Sequence, residues 1–380
     1  MKYRKLGRTG ISVSEVGLGC EFLQGKEYDV VKAALDEAFN QSINIFDVFM
    51  SEPQVRTNIG KALAGRRDKA VIQGHIGSIW KDGQYTRSRN LEDVKPAFDD
   101  LLNRLNTDYI DIGMVHFVDE KNDCDIVFQD EFFDYVRGLK EKGIIKTIGL
   151  SSHVPSVAIK AVETGLVDVL MFSLNPAFDI MPAGAALEEM FEKPKEVMKA
   201  QLDKGRMNLY HACERHGTAI TVMKTYMAGR LLDASKSPFE VPMTTTQCIH
   251  FALTRPAVAS ALIGCITPDD IRQAVSYENA GEAERDFSEV FVKQSFKAEG
   301  HCVYCNHCLP CPAYIDIALV NKYLDLADAS DVVPETVYGH YNDMKAKAGD
   351  CTACGTCEAR CPFGVPVIER MNKAVKVFKS

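Results

Sequence analysis

Two short runs near the end of the chain hold residues whose types and spacing point to metal chemistry. "HCVYCNHCLPCP" places cysteines at 302, 305, 308 and 311, and "DCTACGTCEARCPFGV" places them at 351, 354, 357 and 361. Each run gives three thiolates at C-x2-C spacing and a fourth cysteine followed by proline, Pro312 or Pro362. Three such thiolates reach three corners of a [4Fe–4S] cubane while the loop wraps it, and the Cys-Pro turns the chain toward a second cluster. The expected ligand sets are therefore Cys302, Cys305, Cys308 and Cys361 for one cluster, and Cys351, Cys354, Cys357 and Cys311 for the other. Structural zinc is the alternative, since two C-x2-C pairs suffice for one ion, but it explains neither the third cysteine of each run nor the prolines. His301 and His307 flank the ligands and are expected to be solvated or hydrogen-bonded. A cluster of this kind moves one electron at a time, so the tail is a candidate electron relay.

The whole chain has 380 residues, 46% of them hydrophobic and 25% charged, which fits a globular protein with a sizeable core. A net charge of −8 argues against nucleic acid or an anionic membrane surface as the main partner. No apolar run approaches the roughly 18 residues of a membrane span. Thirteen cysteines behind the polar start Met1-Lys-Tyr-Arg-Lys suggest reduced thiols and a cytoplasmic protein.

The elements that must position any chemistry lie upstream. Short apolar runs at Val16–Leu18, Ile43–Phe46, Ala70–Ile72, Ile110–Val115, Thr147–Leu150, Val167–Phe172, Ala219–Met223 and Ser260–Ile263 read as strands. Helical patterns fall between them. In Leu91–Leu105, for example, Val94, Phe98, Leu101, Leu102 and Leu105 share one face. Asp29–Gln41, Pro53–Leu63, Val154–Thr164 and Thr244–Thr254 read the same way. Eight strands alternating with helices predict an α/β fold, a closed (β/α)8 TIM barrel, with an open doubly wound sheet as the alternative. "YRKLGRTGISVSEV" suggests a hairpin capping the barrel floor. The stretch from Asn175 to Tyr210 is too long for a plain loop and is expected to fold over the mouth. The domains expected are a barrel over 1–280, a polar linker over 281–300 and a mainly α ferredoxin-like iron–sulfur domain over 301–380. No internal repeat is apparent.

Catalytic groups of such barrels sit at the C-terminal strand ends. Those ends carry Cys20, Asp47, His75, His116, Ser151, Ser152, Ser173, Asn175 and Lys224. Cys20 reads as a small buried residue. Phe49, Trp80, Phe117 and Phe172 are candidates for the pocket wall.

"KLGRTGISVSEVGLGC", "INIFDVFMSEPQVRTNIGKAL", "RRDKAVIQGH", "TDYIDIGMVHF", "KGIIKTIGLSSH" and "ALIGCITPDDI" resemble the successive landmarks of the aldo-keto reductases. With the cysteine tail, the chain resembles the iron–sulfur-containing branch of that superfamily, and the helical pattern of "YIDIALVNKYLDLADA" resembles α-helical ferredoxins. The resemblance implies an Asp, Tyr, Lys, His tetrad. Asp47 and His116 match it, Glu52 stands where the tyrosine belongs, and His75 replaces the lysine. His116 and His75 are then expected to position or protonate a substrate oxygen, with Asp47 fixing a tautomer and Glu52 as an additional acid or base. Alternatively, Asp47 and Glu52 serve as helix caps or strand-end groups.

The resemblance also implies cofactor contacts. A Ser-Asn pair that holds the nicotinamide amide becomes Ser151-Ser152, and Lys224 takes the place of an aromatic that stacks on the ring. Asp270 stands where the family grips the 2′-phosphate, which disfavours NADP(H) and leaves NAD(H) compatible. Thr267 reads as a helix N-cap. A flavin stays open, since a barrel mouth holds a phosphate without a separate fingerprint. Three functions follow. The first is an oxidoreductase that reduces a carbonyl or oxidises an alcohol with NAD(H), its clusters relaying electrons. The second is a nicotinamide-independent enzyme whose clusters supply a substrate or flavin. The third is a non-enzymatic electron carrier or redox sensor. The partners expected are a small-molecule substrate and a ferredoxin or other electron donor.

Overall fold

The computed structural model describes residues 1–129, 131–181, 202–293 and 300–379. Twelve strands occur among them: β1 (Tyr3–Lys5), β2 (Ser12–Ser14), β3 (Val16–Gly19), β4 (Ile45–Val48), β5 (Val71–Ile76), β6 (Ser78–Lys81), β7 (Gln84–Arg87), β8 (Ile110–Val115), β9 (Ile145–Ser152), β10 (Val169–Ser173), β11 (Ala219–Met223) and β12 (Val258–Gly264). Eight of them close a parallel barrel in the order β10-β11-β12-β3-β4-β5-β8-β9. Each of the eight expected strands is present. Their near-continuous apolar runs arise because a parallel barrel strand is buried on both faces, as in "IDIGMV" of β8.

The chain divides into two compact units, each built from several segments. The first comprises Met1–Leu174, Thr218–Thr225 and Ala257–Glu278, and holds the barrel. Its floor is plugged by the antiparallel β1–β2 hairpin. Leu6 and Val13, both fully buried, join a core with Ile45, Ile112, Val169 and Ala219. Burying each large aliphatic side chain there contributes about 1.5–3 kcal/mol. Around the barrel run helices Tyr28–Asn40, Pro53–Leu63, Leu91–Leu105, Lys121–Gln129, Glu131–Glu141, Pro155–Glu163 and Pro268–Val275. Leu91–Leu105 has the expected bounds because both ends carry stop signals. Asn90 accepts from Glu92 N at 3.0 Å, and Asn106 closes the helix in the left-handed region at φ 51°. Helix 53–63 packs backbone-close on helix 91–105, since a Cβ at Gly60 would lie 2.0 Å from Arg104 O.

The second unit comprises Asn175–Gly217, Tyr226–Pro256 and Asn279–Ser380. Its helices include Pro176–Asp179, Lys204–His216, Thr245–Thr254, Ile317–Asp328, Glu335–Asn342 and Val367–Phe378. The middle of the segment expected to fold over the mouth, 182–201, lies outside the described residues. The segment expected as an irregular linker instead carries helices Glu282–Arg285 and Ser288–Lys293. Phe287 and Phe291 are fully buried, and Phe287 packs on Phe251 at 5.1 Å between ring centroids. Phe287, just before helix 288–293, and Phe291 within it lie 6.0 Å apart between ring centroids and anchor the segment, despite the polar residues around them. Among the described residues no helix is long and apolar enough to cross a membrane.

Candidate active site and cluster loops

Strand parity brings the barrel's polar side chains together. Gln73 and His75 lie two residues apart on β5, so both point to the same face, and Asp47 on the adjacent β4 is paired in register with Gln73. His75 Nε2 lies 2.9 Å from Asp47 Oδ1, and Gln73 Nε2 donates to the same oxygen at 2.6 Å. Thr221 on β11 donates to Gln73 Oε1 at 3.0 Å, which fixes the amide's orientation. His116, just past β8, meets His75 Nδ1 to Nδ1 at 2.7 Å. The other nitrogen of His116 lies 2.6 Å from the hydroxyl of Tyr85. Asp47, His75 and His116 are buried, whereas Tyr85 is 42% exposed. A four-membered chain thus runs from a buried carboxylate to a phenol that solvent reaches.

The direction of the protons follows from its inner end. An ionised Asp47 only accepts, so His75 donates from Nε2 and accepts at Nδ1. His116 then donates from Nδ1, leaving Nε2 to accept from Tyr85. Burial, with further contributions from His75 and Arg89, holds the His116 imidazole well below its ordinary range and keeps it neutral. Burial pushes the Tyr85 phenol up, against the opposing charges of Arg87 and Arg89, so it stays protonated.

Tyr85 is not among the expected site residues. It stands on the antiparallel β6–β7 hairpin, opposite Trp80, where Asp82 and Gly83 turn the chain at φ 53° and 78°. That is the primed two-residue turn favoured by Asp-Gly, and "WKDGQYTR" carries its signal. Ser78 Oγ donates to Phe49 O at 2.6 Å, and Ser51 Oγ donates to Ile79 O at 2.7 Å. Arg89 grips Asp123 at 2.8 Å and donates to His116 O at 2.8 Å. These bonds tie the hairpin to the loops after β4 and β8 and hold Tyr85 over His116. Phe49 lies parallel to the His116 ring at 5.7 Å and edge-on to Tyr85, and Phe117 stands 6.1 Å from His116. Trp80 is half-buried on the hairpin. Phe172, by contrast, is fully buried core on β10.

In the second unit the two cysteine loops share one backbone design. Left-handed residues follow the first cysteine of each loop by two and four positions: Tyr304 and Asn306 in one, Ala353 and Gly355 in the other. Another follows each Cys-Pro, at Tyr314 and Gly364. Each loop then leads into a twelve-residue helix, Ile317–Asp328 or Val367–Phe378. This is an internal repeat of loop and helix, which corrects the expectation of none. The one-residue difference before the fourth cysteine and the differing helix sequences hide it. Across the pair, Lys373 Nζ meets Asp328 at 2.6 Å, and Arg370 grips Asn321 and Asp325.

Cys302, Cys305, Cys308 and Cys361 line one cavity, together with Ile317 and Val367. A cysteine from the second loop therefore joins three from the first. Arg360 donates to Pro310 O at 3.0 Å, bringing the chain beside Cys311 to the second loop. Burial pushes the Cys305 thiol up to about 12, so a thiolate there needs a bound cation. Among the described residues, no three His, Cys, Asp or Glu side chains converge as a single metal ion requires. Zinc draws its sulfurs to about 2.3 Å from one centre, whereas a cubane spreads them around a larger body. The residues fit [4Fe–4S] groups. His307 is hydrogen-bonded to Asp286, as expected of a residue outside the ligand set.

A family model described as the aldo/keto reductase family matches residues 15–247. The chain belongs to that family. A second model, the 4Fe-4S dicluster domain, matches residues 300–365 of this aldo/keto reductase. The chain is 30% identical over 295 residues to an uncharacterized oxidoreductase, YqkF, of Bacillus subtilis, covering 74% of this chain and 92% of that protein. It is 26% identical to the aldo-keto reductase YhdN of the same organism, over 47% of this chain and 54% of the relative. Aldo-keto reductase AKR11C1 from Bacillus halodurans shares the fold at a TM-score of 0.60 and 22% identity, over 77% of this chain and 96% of that one. This aldo/keto reductase is an oxidoreductase that adds an iron–sulfur domain to a barrel.

Within it, the expected site residues divide. Asp47, His75 and His116 come together. Glu52 instead caps helix 53–63, with Oε1 accepting from Gln54 N at 2.9 Å and Oε2 from Val55 N at 2.6 Å. Both of its oxygens serve the helix dipole, and Pro53 at the first turn favours that start. Ser151 Oγ accepts from Phe117 N at 2.7 Å, and Ser152 Oγ donates to Asp119 at 3.0 Å. Burial raises the Asp119 carboxyl, but hydrogen bonds from His153 and Ser152 outweigh it and hold the group low. Lys224 is half-buried after β11, at φ 64°. Cys20 is fully buried, and burial followed by Asp47 raises its thiol, so it stays a neutral core residue. Thr267 caps helix 268–275 as expected. Asp270 Oδ2 in turn accepts from Ile266 N at 3.1 Å and Thr267 N at 2.9 Å.

Proposed function

We propose that the barrel interconverts an alcohol and a carbonyl through Tyr85, with His116, His75 and Asp47 as its proton relay. The observation that carries this reading is the unbroken hydrogen-bond chain from Asp47 to an accessible phenol. NAD(H), if bound at the mouth, would supply or accept the hydride. In the oxidising direction Tyr85 takes the alcohol proton while its own passes to His116 Nε2. His116 Nδ1 passes a proton to His75, and His75 Nε2 passes one to Asp47. One proton leaves the substrate and one arrives at Asp47, so the count balances. In the reducing direction the same chain runs backward, and Tyr85 protonates the carbonyl oxygen. His116 relays rather than stores the proton, because burial disfavours its charged form. Phe49 and Phe117 flank His116 and suit an apolar substrate flank.

Cys302, Cys305, Cys308 and Cys361 would hold one cluster and Cys311, Cys351, Cys354 and Cys357 the other, and the pair would supply one-electron chemistry. A small electron-carrier protein of the ferredoxin type is the matching partner, and a reduced cytoplasm suits the thiols.

A second reading, nicotinamide-independent, is favoured by the engagement of Ser151, Ser152 and Asp270 with their own backbone and side-chain neighbours. The deciding experiment titrates anaerobically loaded protein with NADH and NADPH and follows nicotinamide fluorescence. NADH binding in the micromolar range supports the first reading; binding of neither nucleotide overturns it. A flavin band in the visible spectrum would favour the second.

A further inference from the structure

We propose that Arg255 is the buried counter-charge of the cluster held by Cys302, Cys305, Cys308 and Cys361 and raises that cluster's reduction potential. The inference rests on the cluster assignment above.

Arg255, the residue that ends helix 245–254, is 0% exposed. A guanidinium removed from water is costly unless opposite charge or hydrogen bonds compensate it. Its described bonds all go to neutral atoms. Nη2 donates to Val303 O at 2.7 Å and to Thr254 Oγ1 at 3.0 Å, while Nε reaches the same hydroxyl at 3.3 Å. Nη1 is buried with no hydrogen-bond partner among the described residues. The guanidinium faces the rings of Phe251 at 4.4 Å and Tyr304 at 5.0 Å. Among the described residues no carboxylate lies within ion-pair distance of it. Asp179 acts on it at longer range, but the ion pair of Asp179 is with Arg206, at 3.9 Å. Asp325 is engaged by the Tyr304 hydroxyl at 2.6 Å and by Arg370.

The missing negative charge is supplied by the chemistry of the loop that Arg255 grips. Val303 sits between Cys302 and Cys305 and lines the cavity those cysteines share with Cys308 and Cys361. Four thiolates around an iron–sulfur core leave a net negative charge, which grows on reduction. A fixed cation in a dry setting favours the more negative state, so it raises the potential.

The repeat supplies an internal contrast. Val303 and Tyr304 are 2% and 7% exposed, while the residues at the matching positions, Thr352 and Ala353, are exposed, as is Cys354. Water stabilises the reduced state at the second loop. At the first, shielded from water at Val303, Tyr304 and Cys305, Arg255 takes that role. The two clusters therefore respond differently to the same substitution.

The test is an EPR-monitored redox titration of the full chain, loaded without oxygen, for wild type, Arg255→Lys and Arg255→Gln. Iron and sulfide are counted first in the wild type; fewer than about eight irons per chain would refute the cluster assignment itself, separately from the role of Arg255. The expected result is that one of two midpoints moves to more negative potential in Arg255→Gln, the other stays put, and Arg255→Lys remains near wild type. Three outcomes overturn the proposal: unchanged midpoints in a fully loaded Arg255→Gln, equal movement of both midpoints, or iron loss in both variants alike, which would make Arg255 a scaffold residue only.

Discussion

His75 and His116 meet through their Nδ1 atoms at 2.7 Å, so the two rings share a single proton between them. One must donate and the other accept. Asp47, beyond His75, decides which, and Tyr85, beyond His116, receives the consequence. The geometry converts one carboxylate's charge state into the polarity of a phenol some distance away.

If that polarity drives turnover, removing the phenolic oxygen alone should suffice to stop it. Tyr85→Phe keeps the ring on its hairpin and is expected to lower kcat about 10²–10⁴-fold with little change in melting temperature. His116→Gln should cost a similar factor, and the double variant little more than either. Steady-state kinetics on any alcohol or carbonyl substrate found for the wild type would check this. Additive losses would show that the two residues do not act as one relay.

The acid side of the stability profile offers a second check. His116 has a folded-state affinity for protons well below that of a free histidine, first because of burial. The unfolded chain therefore binds more protons at this position as pH falls through and below about 6.5. Its contribution is fully present above that pH and is lost progressively below it. Urea titrations from pH 7.5 down to 5 should show the wild type losing stability more steeply than His116→Gln. Parallel slopes would mean that the buried imidazole is not what resists acid.

Crossed ligation makes a distinct prediction for the tail. Cys361 belongs to the second run in sequence but shares a cavity with the first. Cys361→Ala is expected to impair the cluster of Cys302, Cys305 and Cys308, dropping iron from about eight toward four per chain. Combining it with Cys305→Ala should then remove no more iron. A further drop in the double variant would show that the two cysteines serve different clusters.

Asp270 occupies the backbone N–H groups of Ile266 and Thr267, which would otherwise face an anion. Asp270→Ser frees those donors and removes a like charge. If NADH binds the wild type, NADPH should gain about tenfold in relative affinity in the variant, roughly 1.4 kcal/mol. Fluorescence titration with both nucleotides reads this directly, and unchanged discrimination would place the selectivity elsewhere.

The barrel was legible because each of its strands carries a local signature, an apolar run bounded by turn residues, and each helix an apolar face. Glu52 carried two signals, a position that matches a catalytic place in the resemblance and a local chemistry, a carboxylate before a proline at a helix start, that is the cap seen in the structure. Tyr85 escaped because it lies on a hairpin outside the strand–helix alternation. The Asp-Gly turn signalled that hairpin, but nothing local said which histidine the tyrosine would meet. The residues around Phe287 and Phe291 read as a linker because polar composition outweighed two aromatics whose burial depends on Phe251, far off in sequence.

The amino-acid sequence alone determined the cysteine spacing and the strand and helix pattern, since these are properties of neighbouring residues. Only the tertiary structure decided that Asp47, His75, His116 and Tyr85 form one chain and that Arg255 is buried beside Val303. Each of those facts depends on which distant segments meet and from where water is excluded. Proximity fixes the direction of a hydrogen bond, and burial fixes the strength of a charge.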